Sequence, residues 1–464
     1  MRINTPRYIF YLIISLLVFP SLIYGAMPSW ENQKSRPSIK LNSEMSGLKS
    51  NRSTRITPTL SPERSKGAKT TRLKTNRSHH EYNPERSLNA ADNAEARHLL
   101  DSISSIIRDS ADALIDKMIY VRAGDLPRPE IKQKELHSFI GVGDIMLGTD
   151  YPSPEYLPPD NQCDFLMRDV YQVLNNADVT FGNLEGAFSD TATVKKNCNN
   201  PEACYAFRTP KSYFKCIKKA GFDLLSLANN HAGDLGKYGK KSTVELIEEA
   251  GMKHAGLLSN PYSVLNLSGI RIGFCAFSPN KGTCSITDLK KATELVKMLD
   301  EQSDMVVVSF HGGAEGADYQ NVTRNTEIFY NENRGNVYEF AHAVIDAGAD
   351  IVFGHGPHVM RAIEVYKERF IAYSLGNFCT YKRIKITGIN GIAPIMRVHV
   401  NSKGEFKGGQ IIPVYQTREH GTRIDPLNRA IKVMRDLTIE DFPNSGIIIT
   451  KEGYVYNNGL NKSN

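Results

Sequence analysis

Ala349-Asp350-Ile351-Val352-Phe353-Gly354-His355-Gly356-Pro357-His358-Val359 decides how the chain is read. A short apolar run breaks at a glycine and delivers two histidines three residues apart, the pattern of a buried strand that ends in a site. Neutral imidazole is the commonest protein metal ligand. Gly354, Gly356 and Pro357 hold a turn open where larger side chains would crowd an ion. Alone, two histidines at this spacing more often cap a strand–loop junction than bind metal, so the weight falls on whether the pattern recurs.

It recurs five times. From His137 onward short apolar runs alternate with helical segments, which predicts an α/β domain over residues 135–464. The runs at 137–142, 178–181, 222–227, 305–310, 350–353 and 369–375 end in Asp144, in Asn183-Leu184-Glu185, in Asn229-Asn230-His231, in His311 through Glu315, in His355 and His358, and in Asn377. Helices are expected between them, at 163–176, 211–220, 239–250, 288–299 and 336–346. Crevices in open α/β sheets lie beyond the carboxyl ends of the strands, so these endings are expected to converge. Their mixture of imidazole, carboxylate and carboxamide suits Zn, Mn or Fe, and a carboxylate between two ions can bridge them. Two such ions would clamp a phosphoryl or carbonyl oxygen and acidify a bound water. A histidine that is not a ligand could then protonate the leaving group.

The formal charge of +7 invites a nucleic-acid reading, and its distribution removes it. Residues 27–88 hold 13 Lys/Arg against 5 Asp/Glu, a net of +8, and Arg2 and Arg7 add two more, so residues 89–464 are acidic by three charges. No phosphate-backbone footprint is expected on the folded part. Arg2 and Arg7 precede an apolar run at 8–24 and then Gly25-Ala26, the layout of an export signal, and the run is nearly long enough to serve as an uncleaved membrane anchor. Either way the remainder is expected outside the cytoplasm: periplasmic, extracellular or tethered to the outer face of the membrane. Residues 27–88 are too polar to bury a core and read as a basic disordered linker. Residues 89–134 read as an amphipathic helix, with Leu100, Ile103, Ile107, Leu114 and Met118 on one face, followed by a connector. Seven cysteines fit an oxidising compartment, and Cys198 and Cys204 are the expected disulfide; spacing leaves the others open.

Gly143-Asp144-Ile145-Met146-Leu147-Gly148, Asn183-Leu184-Glu185, Phe207-Arg208-Thr209-Pro210, Ala220-Gly221-Phe222-Asp223 leading to Ala228-Asn229-Asn230-His231, Gly348-Ala349-Asp350 leading to His355 and His358, and Tyr373-Ser374-Leu375-Gly376-Asn377-Phe378 form a set. Together, over roughly residues 138–413, they resemble the CapA family of bacterial poly-γ-glutamate capsule synthesis proteins. The resemblance implies a calcineurin-like metallophosphoesterase architecture, a β-sandwich flanked by helices in α/β/β/α layers. It also implies two divalent ions, with Asp144 on the first and Glu185 bridging. Asn230, His311 and His355 would serve the second ion and His358 the first, the last two being interchangeable. His231 would be the acid or transition-state stabiliser, and Asn229 would support its loop.

Two departures from the pattern matter. Met146 stands where metallophosphoesterases usually carry a histidine, which weakens the first metal site, and Gly356 replaces a histidine common in the capsule family. Arg208 suits a bidentate grip on a substrate carboxylate or phosphate, or else an ion pair with Glu202 or another nearby carboxylate. Asn377 would orient substrate or satisfy turn backbone, and Glu315 would brace His311 from behind. Beyond residue 397 strands at 410–415 and 446–450 with a helix at 427–437 are expected to complete the outer sheet, with His399 and His420 outside any site. Two functions remain open. One is a metal-dependent hydrolase or transferase acting on phosphoester or γ-glutamyl linkages. The other is an assembly or export factor that grips an anionic polymer such as poly-γ-glutamate, alongside membrane-bound capsule synthesis machinery, without cutting it.

Overall fold

The computed structural model describes residues 136–196, 205–267 and 269–458. The export segment, the basic linker, the amphipathic helix and the Cys198–Cys204 pairing lie outside the described residues. No helix among the described residues is long and apolar enough to cross a membrane.

In chain order the strands begin with β1 (Leu136–Met146), β2 (Val179–Leu184), β3 (Ala187–Phe188), β4 (Arg208–Thr209), β5 (Leu224–Ser226), β6 (Lys253–Ala255), β7 (Tyr262–Leu267) and β8 (Ile270–Phe277). Next come β9 (Met305–His311), β10 (Ile328–Phe329), β11 (Glu332–Asn333), β12 (Ile351–His355), β13 (Ile363–Tyr366), β14 (Arg369–Ala372) and β15 (Asn377–Thr380). The last are β16 (Ile392–Asn401), β17 (Phe406–Thr417), β18 (Gly421–Ile424), β19 (Ile447–Ile449) and β20 (Tyr454–Asn457). One sheet runs β19-β20-β17-β16-β1-β2-β5-β6, with β15 also on β1 and β18 on β17; the second runs β13-β14-β12-β9-β8-β7. Parallel pairing joins β1, β2, β5 and β6 in the first sheet and β8, β9, β12 and β14 in the second. These central strands are covered on both faces, which is why β9 and β12 are buried throughout and read as continuous apolar runs.

Three apolar layers hold the fold. Phe139, Phe181, Phe274 and Phe353 pack between the two sheets, with Phe181 stacked on Phe353 at 5.2 Å. Outside the larger sheet lie α2 and α3, preceded by α1, a single turn; their ranges are α1 (Tyr171–Leu174), α2 (Phe214–Ala220) and α3 (Gly236–Glu249). Against the smaller sheet lie α4 (Leu289–Gln302) and α5 (Val337–Asp346), while α6 (Arg429–Asp441) covers β16 and β17. Ala292, Val296 and Leu299 of α4 recur every three or four residues and are fully buried, and the Asp288 side chain caps its first turn through the Lys291 N–H. The layers are therefore helix, sheet, sheet, helix, as the motifs implied.

The helix expected at 163–176 is broken. Residues Asp164–Leu166 and Arg168–Val170 form tight 3₁₀ turns and only Tyr171–Leu174 is α-helical. Met167 leaves helical geometry between them, with φ −131° and ψ 3°. Tertiary restraints override the helical spacing here: Cys163 is joined to Cys216 by a disulfide, and β18 presses so closely that a Cβ on Gly421 would lie 2.4 Å from Leu166 Cα. The C-terminal segment completes the larger sheet through β17 to β20, as expected.

Candidate metal centre

All the parallel strands point their carboxyl ends to one edge, and the two sheets meet there. Asp144 sits near the end of β1, in register with Asn183 of β2 on one side and Asn377 of β15 on the other, where both pairings slip at a bulge. Such a bulge re-aims a side chain out of the strand ladder. On the facing sheet His311 ends β9 and His355 ends β12, paired in register. Glu185, Asn230 and His231 arrive on the loops after β2 and β5.

The structure brings these residues together. Asp144, Glu185 and His311 are buried, and each offers a ligand atom within 4.8 Å of the other two. His358 Nδ1 donates to Asp144 Oδ2 at 2.8 Å, and its Nε2 lies 3.7 Å from Glu185 Oε1. His355 donates from Nε2 to the Val142 carbonyl at 3.0 Å, which leaves its Nδ1 as the lone-pair nitrogen. The donor set fits a divalent cation by a simple test. Both Glu185 oxygens, Asn230 Oδ1, both His311 nitrogens, His355 Nδ1 and Asn377 Oδ1 are buried without any hydrogen-bond partner. Buried polar atoms are almost always paired, so this many orphans in one place calls for a ligand.

Electrostatics point the same way. Burial first, then the neighbouring Asp144, push the Glu185 pKa well above the usual carboxylate range. Burial opposes charge on Asp144 too, but the hydrogen bond and charge of His358 outweigh it and hold Asp144 below its ordinary value. His358 is the counterpart: burial disfavours its imidazolium, yet Glu185 and Asp144 raise its pKa to about 10. Burial lowers His355, and burial with the charge of Arg334 pulls His311 well down, so both rest as neutral imidazoles, the form that binds metal. His358 would have to give up a proton to serve as a ligand, so metal binding there would be coupled to proton release.

Asp144 is held by a relay of buried amides. Asn183 Nδ2 donates to Asp144 Oδ1 at 2.8 Å, and Asn229 Nδ2 donates to Asn183 Oδ1 at 3.1 Å and to the Leu184 carbonyl. Asn229 also accepts from the His231 N–H, which is the loop support expected of it. His231 donates from Nδ1 to Asp234 Oδ2 at 2.7 Å, stacks on Phe207 at 4.0 Å, and turns Nε2 toward Glu185 at 3.8 Å. Asp234 is itself fixed by the Phe207 N–H and by Lys196. Asp234 and Phe207 had no assigned role in the sequence; the spacing His231-x-x-Asp234 was the available signal.

A cavity of about 700 Å³ opens over these groups, lined by Glu185, Asn230, His231 and His358 together with Arg334, Arg383, Lys196 and Lys385. Arg208 does not line it. Its guanidinium is taken by Asp150 at 2.6 Å and by the Ala192 carbonyl, so the ion-pair reading holds, with Asp150 in place of Glu202. Glu315 lines the cavity but pairs with Arg334 at 3.0 Å, where bracing of His311 had been expected. Asn377 spends its amide N–H groups on the His358, Lys385 and Asn390 carbonyls, a structural use. Met146 is buried and its sulfur accepts from the Gly148 N–H, so no imidazole equivalent exists there. Gly356 is set by backbone: its φ is +116°, and a Cβ would lie 2.5 Å from the Gly312 carbonyl oxygen. A histidine would be strained in this conformation.

The α/β/β/α sandwich with Asp, Glu, Asn and His gathered at its strand ends is the layered arrangement that the motifs implied. Two solved structures resemble it loosely: a Thermus thermophilus 5'-nucleotidase precursor at TM-score 0.36 and 12% identity, covering 68% of this chain and 61% of that one, and a yellow lupin purple acid phosphatase at TM-score 0.32 and 10% identity, covering 63% and 53%. Likeness at that level carries no chemistry across. The chain belongs to the bacterial capsule synthesis protein PGA_cap family, whose model matches residues 138–382. Its relatives include the capsule biosynthesis protein CapA of Bacillus anthracis, 30% identical over 266 residues that make up 53% of this chain and 60% of that protein. The PGA biosynthesis protein CapA of Bacillus subtilis is 28% identical, over 56% of this chain and 68% of its own length. The match thus spans about three-fifths of the Bacillus anthracis relative.

Proposed function

We propose that this capsule-synthesis family member is an exported, metal-dependent hydrolase or transferase acting on a phosphoester or γ-glutamyl linkage of an anionic polymer. The observation that carries the reading is the group of orphaned ligand atoms beside a histidine that is oriented and left out of the ligand set. Asp144 and His358 would hold one ion, Asn230, His311 and His355 a second, with Glu185 between. Divalent ions bound there polarise a phosphoryl or carbonyl oxygen and acidify water.

The residues of the chain do the rest. Asp234 fixes the His231 tautomer with the proton on Nδ1, and burial keeps the ring neutral despite that carboxylate. Nε2 therefore faces the cavity as a proton acceptor. It takes the proton lost by the nucleophile, and the imidazolium, stabilised by Asp234, returns it to the leaving oxygen or nitrogen. Lys196, Arg334, Arg383 and Lys385 line the cavity beside Glu185, Glu315 and Glu332, so cationic groups are at hand for an anionic chain. The disulfide Cys163–Cys216 agrees with work outside the cytoplasm.

Met146 favours a second reading, in which the first site is weak and the cavity grips polymer without cutting it. Metal analysis of the purified protein tests the common ground: close to two equivalents of transition metal are expected, with His355→Ala losing most of it. Well-folded wild type that takes up no metal would remove both ions from the proposal. Turnover of a phosphodiester and poly-γ-glutamate panel by wild type and Asp144→Asn then separates the readings. Background activity in both would leave only the binding function.

A further inference from the structure

We propose that Arg334 is the anion anchor of the cavity, presenting its Nη2 to one oxygen of a phosphate or carboxylate group carried by the substrate. The inference rests on the cavity being the substrate site, and not on metal being bound there.

Arg334 is only 2% exposed, yet it lines the cavity. Two edges of its guanidinium are committed: Nε donates to the Gly313 carbonyl at 3.1 Å, and Nη1 pairs with Glu315 at 3.0 Å, with Glu332 further off at 3.8 Å. Nη2 has no hydrogen-bond partner. A buried cationic donor left unsatisfied is costly and calls for an acceptor that arrives from outside. The group is also preorganised. Arg334 follows the β10–β11 hairpin, whose ladder continues through the Arg334 N–H to the Glu327 carbonyl and the Glu327 N–H to Gly335. Glu327 is clamped by the wholly buried Arg361 through two bonds of 2.8 and 2.7 Å, so the base of the hairpin cannot drift. A planar guanidinium held on two edges offers its third to an oxyanion at little entropic cost. Arg334 lies in a polar stretch with no periodic or motif signal, and so was silent in the sequence. The competing role, a strut tying the Gly312–Glu315 loop to the hairpin, accounts for Nε and Nη1 and leaves Nη2 unexplained.

Calorimetric titration of inorganic phosphate and of glutarate into the full chain, metal-free and Mn-loaded, tests this. Wild type should bind at least one probe, and which of the two it binds identifies the anion as phosphate or carboxylate. Arg334→Gln should weaken that binding about tenfold or more with its metal content unchanged. Glu315→Gln should tighten it severalfold, since the guanidinium then keeps charge that Glu315 now neutralises. A strut would behave otherwise: both variants would lower the melting temperature, and neither would split the affinities in opposite directions. That result, or no binding of either probe by wild type, overturns the proposal. If Arg334→Gln does not fold, Arg334→Lys retains the charge without the fork and should bind with intermediate affinity; wild-type affinity there overturns it equally. Arg334-dependent binding in a protein that takes up no metal would sink the metal reading and leave this one standing.

Discussion

Two of the buried charge clusters among the described residues differ in one respect. At Arg361–Glu327 every carboxylate oxygen and every guanidinium nitrogen has a partner: two direct bonds, the Ala314 N–H on Glu327, and the Tyr319 and Ala314 carbonyls on Arg361. At Asp144–Glu185–His311, equally buried, both Glu185 oxygens and both His311 nitrogens have none. The first cluster is closed and holds a loop in place. The second is not closed by protein partners and presents its oxygens and nitrogens as ligand atoms. Burial of charge alone therefore does not mark a functional site, whereas several ligand atoms buried together without partners point to one.

That contrast can be broken by mutation, and the largest effect should come from the closed cluster. Arg361→Met leaves Glu327 buried without its counter-charge and should cost about 3–5 kcal/mol in urea denaturation. A cost under about 1 kcal/mol would erase the distinction. Asp350 is an intermediate case, bonded to the Val306 N–H and to Arg369 yet pushed by burial from 3.8 to about 6. From pH 4 to 6 the unfolded chain loses this proton while the folded one keeps it, so the stability this group contributes falls as pH rises. Asp350→Asn cannot titrate, and its stability relative to wild type should rise by about 2 kcal/mol across that window, as read by denaturation at several pH values. Parallel curves for the two proteins would count against the buried-acid reading.

Gly356→Ala places a Cβ against the Gly312 carbonyl at positive φ and should cost about 1–3 kcal/mol, seen as a lower melting temperature; a neutral outcome would mean that the loop can relax. The smallest effect, and of opposite sign, belongs to the open cluster. Glu185→Gln in metal-free protein should gain about 1 kcal/mol at neutral pH, because a neutral amide replaces a carboxyl that burial and Asp144 hold against ionising. The gain should grow as pH rises, since the raised Glu185 pKa means wild type loses stability as that group is forced to ionise. Destabilisation by Glu185→Gln would place the cluster with the structural pairs.

Much of this was legible in the chain. Parallel strands covered on both faces must be continuous apolar runs, and their carboxyl ends must share an edge, so Asp144, Glu185, Asn230, His231, His311, His355 and His358 could be gathered from periodicity and endings alone. The reading failed where a residue's partner is remote in sequence. Arg208 stood between a substrate anchor and an ion pair, and Asp150 takes its guanidinium, while Glu315 was assigned to His311 and pairs with Arg334. The 163–176 segment has helical spacing, but a disulfide and a neighbouring strand divide it into short turns.

The sequence by itself therefore determined an α/β fold and the residue types at its strand ends, because both follow from local periodicity and from the direction of parallel strands, while the two-sheet layering was implied by the family resemblance. Only the tertiary structure decided which of those polar atoms are already satisfied. It turned Arg208 into a strut and left only Nη2 of Arg334 without a partner. It also showed that the backbone at Gly356 favours glycine, where the sequence had presented it as a lost histidine. Hydrogen-bond satisfaction depends on distances between groups far apart in the chain, and no pattern along one strand can carry that information.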